Sequence, residues 1–146
     1  MLPAEPGTYV LLLYLFGPFR IPVGRLGTFE VRAGFYLYVG SARGPGGLAA
    51  RVARHLRHPK PLRWHVDFLR AYARPVGVWW AEEVERRECV WARVLARLPD
   101  ASIPIPGFGA SDCRCPAHLV HFVAVPDRET FAHMVGESIQ EVHFGT

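Results

Sequence analysis

The chain has 146 residues, 50% of them hydrophobic, which suits one domain with a substantial core and is too short to suggest two. Its 17 basic and 13 acidic residues give a net charge of +4, and Lys60 is the only lysine, so arginine carries almost all of the positive charge. Arginine can pair with two phosphate oxygens at once, which makes nucleic acid a candidate partner, although codon bias or a hot habitat explains the same richness.

The first predicted element is a central strand. Tyr9 to Phe16 reads YVLLLYLF after Gly7 and Thr8, and such continuous apolarity is typical of a strand covered on both faces. The run is far too short to cross a bilayer and lacks the basic leader of a signal peptide, so we expect no membrane partner. Two extended segments follow, and they predict an inserted hairpin: Arg20 to Val23 and Gly27 to Ala33.

A strand, a glycine-rich turn and a basic helix follow one another between Phe35 and His58. Phe35 to Val39 is predicted as a strand, and the turn from Gly40 to Gly47 is predicted to open the helix. Because the first N–H groups of a helix have no partner within it, we expect this turn to bind phosphate. At helical spacing the buried stripe consists of Leu48, Val52 and Leu56. The adjacent basic side, expected at the edge of the core beside the sheet, consists of Arg51, His55 and His58.

The rest of the chain predicts further helices and strands. In order, we expect a helix at Leu62 to Tyr72, a strand at Pro75 to Ala81, a helix at Glu82 to Leu98, a loop at Asp100 to Asp112, a strand at His118 to Val125, a helix at Arg128 to Gly136 and an edge segment over the last ten residues. The pattern predicts an α+β fold with a small, mainly antiparallel central sheet flanked by helices. We expect one domain over residues 1–146, with a core over 7–98 and a strand and helix extension over 99–146.

Glu88 is an unusual residue in the predicted helix from Glu82 to Leu98. At helical spacing from Val84 and Trp91 it falls within the apolar stripe. A carboxylate aimed into a core is costly unless an arginine or a metal ion meets it. An ion pair with a neighbouring helix, or exposure at the helix edge, is the alternative explanation.

Together these residues resemble the GIY-YIG nuclease superfamily. Gly7, Thr8 and Tyr9 match its first motif, Tyr38, Val39 and Gly40 its second, Arg51 and His55 its helix residues, and Glu88 its acidic residue. The stretches YVGSARGPGGL, RWHVDFL and GFGASDCRCPAHL are similar to one poorly characterised branch of that superfamily, which carries the inserted hairpin. Members of this branch sometimes occur attached to endonuclease III-type DNA glycosylases. Threonine and valine replace the isoleucines of the two wider motifs.

The resemblance implies a metal-dependent endonuclease that hydrolyses DNA, with a role in DNA repair or processing and with a repair glycosylase as a candidate partner. Glu88 would hold Mg²⁺ or Mn²⁺ against the phosphate, and Arg51 would clamp a phosphoryl oxygen. Tyr9, partnered by His55 or the metal, would deprotonate the attacking water, and Tyr38 would orient water or phosphate. Such a base needs a lowered pKa, which Arg51 and a cation would provide, and the five side chains must line one pocket. The alternatives are an inactive nucleic-acid-binding module and an adaptor for a repair protein.

Six further residues near the predicted groove are expected to contact nucleic acid. They are Ser41, Arg43, Arg54, His58, His65 and Arg114. His65 lies two residues from Asp67, so on a helix the two point to different sides and cannot form a simple pair. A packing or capping role is the simpler explanation for His65.

The loop before His118 raises the question of a zinc site. The candidate ligands are Cys113, Cys115, His118 and His121. Their spacing is uncommon for zinc, and the two histidines would face opposite ways on a strand, so we favour a loop folded by Ser111 and Asp112 that places Arg114 near the groove. An odd number of cysteines, two of them too close for an ordinary disulfide, indicates a reducing cytoplasm.

Overall fold

A computed structural model describes residues 2–58, 60–110 and 113–144 of the chain and has an α+β fold, as predicted. Helices cover both faces of an antiparallel sheet. The elements are β1 (Gly7–Leu15), β2 (Phe19–Pro22), β3 (Thr28–Val31), β4 (Gly34–Ala42), α1 (Gly47–Leu56), α2 (His65–Arg70), β5 (Arg74–Glu82), α3 (Glu88–Arg97), β6 (Leu119–Phe122), α4 (Arg128–Val135) and β7 (Gln140–His143). In the ranges that the structure describes, no helix has both the length and the hydrophobicity needed to cross a bilayer.

The main sheet has five strands in the order β6-β4-β1-β5-β7, and every neighbouring pair is antiparallel. β1 lies at its centre, which confirms the interpretation of the apolar run at the start of the chain. It pairs with β4 over its full length, from Gly7 opposite Ala42 to Leu15 opposite Gly34. β2 and β3 form the predicted hairpin as a separate two-stranded sheet, and β7 is the predicted edge segment.

The two faces of the sheet carry two separate parts of the core. On one face Tyr9, Leu11 and Leu13 of β1 pack with Leu48 and Val52 of α1. On the other face the alternate residues of β1 pack against α3 and α4, with a centre formed by Trp79, Trp91 and Phe131. Because successive residues of a strand point to opposite faces, burial of both faces requires an uninterrupted apolar sequence.

Several element boundaries differ from the predicted ones. β5 continues pairing with β1 as far as Glu82 opposite Gly7, so α3 begins at Glu88 and not at Glu82. Val84, expected in the buried stripe of that helix, is 88% exposed in the connecting turn. β4 extends through Gly40 to Ala42 because the whole of β1 pairs with it, and His58 lies beyond the end of α1.

The first N–H groups of α1 are occupied by the protein itself. The N–H of Leu48 donates to the carbonyl of Glu5 at 2.9 Å, and the N–H of Ala49 donates to the carbonyl of Pro3 at 2.9 Å. The N–H of Gly47 bonds the carbonyl of Gly44 at 3.1 Å. These are the groups that a phosphate would need, so the prediction of a phosphate site at this turn is wrong.

Candidate active site

A hydrogen bond between Tyr9 of β1 and His55 of α1 lies at the centre of the candidate site. The Tyr9 hydroxyl oxygen is 2.7 Å from Nε2 of His55, and both side chains are buried. Burial lowers the pKa of His55 to about 3, so the imidazole is neutral near pH 7. The bond therefore joins a neutral phenol to a neutral imidazole.

Gly40 of β4 provides the space that Tyr9 occupies. The two residues are directly opposite in the antiparallel pair, so they lie on the same face of the sheet. A β-carbon at Gly40 would lie 2.4 Å from the hydroxyl oxygen of Tyr9. The glycine of the second motif thus allows the tyrosine of the first motif to lie across β4 and reach α1.

Replacement of Gly40 by alanine is therefore expected to displace the Tyr9 ring, break its bond to His55 and lower the free energy of unfolding by about 1–3 kcal/mol. Urea unfolding monitored by circular dichroism measures the change. Gly44→Ala is the matched control, because a β-carbon there meets nothing within 4 Å. Equal stability of the two variants would contradict the packing assigned to Gly40.

Tyr38 and Arg51 lie next to the buried Tyr9–His55 pair, on the side nearer to solvent. The Tyr38 ring centroid lies 6.5 Å from that of Tyr9 and 6.0 Å from that of His55. Nη1 of Arg51 donates to the carbonyl of Ser41 at 2.9 Å. Tyr38 and Arg51 are half-buried, so they are the members of this group that a ligand can reach.

Burial dominates the pKa values of both tyrosines in the metal-free protein. Burial, reinforced by Tyr38, raises the pKa of Tyr9 far above its ordinary value of 10.0, although Arg51 acts in the opposite direction. Burial likewise raises the pKa of Tyr38 to about 12. Desolvation thus outweighs the guanidinium charge when no cation is bound, and the expectation that Arg51 and a cation together lower the pKa of Tyr9 stays a prediction.

Glu88 is the first residue of α3, whose body packs on the face of the sheet opposite to Tyr9 and α1. The strand pairing of β4 with β6 stops at Tyr38, and the next residue, Val39, donates its N–H to the carbonyl of His118. There the Glu88 carboxylate lies close enough to Tyr38 for its charge to contribute to the raised pKa of that tyrosine. Within the described ranges no hydrogen bond or ion pair joins Glu88 to Tyr9 or Arg51.

One oxygen of the Glu88 carboxylate has no partner among the described residues. Oε1 is 3.7 Å from Nη1 of the exposed Arg86, whereas Oε2 is buried and makes no hydrogen bond. A buried carboxylate oxygen without a partner is costly, and a bound cation would relieve that cost. The carboxylate was expected in the middle of a helix face, and its place in the first turn brings it to the sheet edge instead.

Arg43 fixes the turn that leads to Glu88. Its Nη1 donates to the carbonyls of Glu83 at 2.7 Å and Val84 at 2.8 Å, and its Nη2 donates to the carbonyl of Glu85. Its Nε donates to the hydroxyl of Ser41 at 2.7 Å. Most of the donors of the guanidinium are thus used within the protein, and the geometry gives Arg43 and Ser41 a positioning role.

Arg54 is held by Asp67, a residue that sequence analysis did not place in the site. Two parallel hydrogen bonds of 2.9 Å join the guanidinium to the two carboxylate oxygens of Asp67. The guanidinium of Arg54 lies 3.8 Å from the ring centroid of Trp64, and that of Arg51 lies 4.8 Å from the same centroid. Asp67 and Trp64 therefore fix the helix that carries the basic side chains, and the acid at the start of α2 was the available sequence signal.

The remaining predicted nucleic-acid contacts divide into two kinds. Nδ1 of His65 accepts a hydrogen bond from the N–H of Gly109 at 2.8 Å, which agrees with the capping explanation. His58 and Arg114 are exposed and remain available for contact with a ligand.

A group of three cysteines and one histidine lies beside the same sheet edge. Its members are Cys89, Cys113, Cys115 and His118, whose ligand atoms all lie within 4.8 Å of one another. The predicted ligand His121 is not among them, because its Nε2 is 3.0 Å from the carbonyl of Ala33. Cys89 from α3 takes its place. Ser111 and Asp112, expected to fold this loop, lie outside the described residues.

Comparison with known families matches residues 8–142 to the domain of unknown function DUF123. The matched region contains every residue of the candidate active site and all four members of the cysteine and histidine group. No curated protein and no solved structure matches the chain.

Proposed function

Since the chain belongs to the DUF123 family, whose description assigns no activity, we propose a function from the site itself: metal-dependent endonucleolytic hydrolysis of DNA. The observation that carries the proposal is that Tyr9, Tyr38, Arg51 and His55 lie together on one face of the sheet, with the Glu88 carboxylate near Tyr38 and one of its oxygens buried without a partner among the described residues. These are the positions at which the sequence resembles the GIY-YIG nucleases. That resemblance also supports a role in DNA repair alongside a repair glycosylase, and the three free cysteines support a location in the reducing cytoplasm.

Arg51 is the residue that would bind the phosphate. Its side chain is half-buried, its Nη1 donates to the carbonyl of Ser41, and its guanidinium also lies close enough to the Tyr9 hydroxyl to lower the pKa of that tyrosine. A guanidinium has five N–H donors, so a bond to Ser41 leaves others that would pair with phosphoryl oxygens. Partial burial strengthens such a charge-assisted bond, because water competes less with the phosphate.

Glu88 would hold the divalent cation. The buried Oε2 without a partner fits Mg²⁺ or Mn²⁺, hard cations that take one or two carboxylate oxygens and fill the other positions with water and phosphate. The bound cation would neutralise charge on the phosphate and supply an activated water. The protein would contribute the carboxylate, held by the turn that Arg43 fixes.

Tyr9 and His55 are both uncharged near pH 7 in the metal-free site. Without a cation, the raised pKa of Tyr9 keeps its hydroxyl protonated near pH 7, so we assign it a donating or orienting role; a bound cation would have to lower that pKa for Tyr9 to serve as the base. His55, neutral at that pH, holds the Tyr9 hydroxyl in place. Tyr38, half-buried at the surface of the group, would orient the water or the phosphate.

The test is an assay of the purified protein on labelled single-stranded, duplex and flapped DNA, with Mg²⁺, with Mn²⁺ and with EDTA. We expect cleavage that depends on the cation, and we expect Arg51→Ala to lower its rate by about 10²-fold. Arg57→Ala is the matched control, because this side chain is exposed at the end of the same helix. A folded Arg51→Ala variant that cleaves as fast as the parent would overturn the assignment.

A second candidate function is binding of nucleic acid without cleavage. The observation in its favour is that burial keeps both tyrosines protonated near pH 7 and lowers the pKa of His55 to about 3, so the imidazole of the metal-free site is only a weak base. Binding that persists in EDTA, together with no nicking in either metal, would select this alternative over the nuclease.

A further inference from the structure

The structure assigns a second metal site, separate from Glu88: we propose that Cys89, Cys113, Cys115 and His118 bind one structural zinc ion. Their four ligand atoms lie within 4.8 Å of one another. The proposal does not depend on the nuclease assignment, because it follows from these side chains alone.

The spacing of the ligand atoms fits tetrahedral zinc. Zn–S bonds of about 2.3 Å and a Zn–N bond of about 2.0 Å place the ligand atoms about 3.5–3.8 Å apart. Nε2 of His118 is 3.2 Å from Sγ of Cys113 and 3.7 Å from Sγ of Cys89. Small shifts of the side chains would therefore complete the tetrahedron.

The chemical nature of the ligands selects zinc over magnesium or calcium. Thiolates and imidazole are soft and borderline donors, whereas the hard cations prefer oxygen. All three cysteines are free thiols in the structure. Three sulfurs and one nitrogen from the protein fill four positions and leave none open for water, which is the arrangement of a structural site.

The protein backbone holds these ligands in place. The N–H of His118 donates to the carbonyl of Phe108 at 2.7 Å, and the carbonyl of His118 accepts from the N–H of Val39 of β4 at 2.8 Å. The N–H of Cys115 donates to Sγ of Cys113 at 3.4 Å, a bond that would stabilise a thiolate. Cys115 and His118 are also buried, as expected for ligands of a closed site.

Zinc at this point would join three separate segments of the chain. Cys89 belongs to the first turn of α3, Cys113 and Cys115 to the loop, and His118 to the residue before β6. Because Glu88 precedes Cys89, the ion would also fix the carboxylate at the sheet edge. The use of that carboxylate in catalysis rests on the proposed nuclease function, whereas zinc binding does not.

The experiment measures zinc in protein purified without added chelator, by inductively coupled plasma mass spectrometry. We expect about one zinc per chain and its loss in Cys89→Ser. His121→Gln should keep the metal, because His121 contacts Ala33 and not the cysteine group. Replacement of zinc by Co²⁺ should give the strong visible absorption of tetrahedral cobalt and a sulfur-to-cobalt charge-transfer band.

A second measurement covers the case in which Cys89→Ser does not fold. Titration of the parent protein with an organomercurial should release its zinc only as the three thiols react, detected with a colorimetric zinc indicator. No zinc in the purified protein and none after reconstitution would overturn the proposal, as would zinc that is retained in a folded Cys89→Ser variant. Neither result depends on DNA cleavage, so failure of the zinc site is distinguishable from failure of the nuclease.

Discussion

Replacement of Asp67 by alanine is expected to lower the free energy of unfolding by about 3–5 kcal/mol. The carboxylate is fully buried and accepts both hydrogen bonds from Arg54 as well as one each from the N–H groups of Arg63 and Trp64. Its loss leaves the guanidinium of Arg54 without its partner in a site that is only 17% exposed. Urea unfolding at pH 7 measures the change.

Arg63→Ala is the matched control for Asp67→Ala, because the Arg63 side chain is exposed and only its backbone N–H contacts the carboxylate. That variant should be almost as stable as the parent. If the free energy of unfolding of Asp67→Ala lies within about 1 kcal/mol of that of the parent, the prediction is wrong, and water replaces the bidentate pair as it does for exposed pairs.

The contribution of Asp67 to the free energy of unfolding should also depend on pH. Burial alone would raise the pKa of Asp67, but the hydrogen bonds from Arg54, Trp64 and Arg63 hold it below the ordinary value of 3.8. A group whose pKa is lower in the folded state stabilises the protein fully above its unfolded pKa and loses this contribution as the pH falls through the folded pKa. The stability difference between parent and variant should therefore shrink below about pH 4.

Glu88→Gln is expected to lower the rate of metal-dependent DNA cleavage by about 10³-fold. The amide keeps the size of the side chain but removes the charge that would hold the cation, so the fold should be unaffected. Single-turnover cleavage in saturating Mg²⁺ measures the rate. Binding of Mn²⁺, followed by electron paramagnetic resonance, measures the cation site directly.

Glu82→Gln provides the comparison for Glu88→Gln, because Glu82 is an exposed acid at the end of β5. It should leave both cleavage and Mn²⁺ binding unchanged. The zinc content of both variants should equal that of the parent, which separates the two metal sites. Full cleavage activity in a folded Glu88→Gln variant would remove Glu88 from the site.

Much of the fold is predictable from the sequence, because its signals are local. The unbroken apolarity of β1 indicates a central strand, and the period of Leu48 and Val52 indicates the face of α1 that packs on it. The start of α3 is not predictable in the same way. The acids between Glu82 and Glu85 resemble the first turn of a helix, yet pairing with β1 holds Glu82 in a strand.

The candidate site shows the same division. Arg51 and His55 are one helical turn apart, so their common side is visible in the sequence. The bond between Asp67 and Arg54 and the approach of Cys89 to the loop cysteines depend on how distant segments pack. His121 was a candidate ligand because it lies near the two loop cysteines in the sequence, whereas the packing of α3 brings Cys89 to that group instead.

The segment before β1 satisfies the first N–H groups of α1, because the carbonyls of Pro3 and Glu5 accept hydrogen bonds from them. Truncation of this segment would leave the amides of Leu48 and Ala49 bare at the positive end of a helix. A shortened protein would then acquire an anion-binding site at the start of α1, where the intact protein has its own carbonyls. Sulfate or phosphate bound by such a truncated version would be an artefact of the deletion and no guide to the natural ligand.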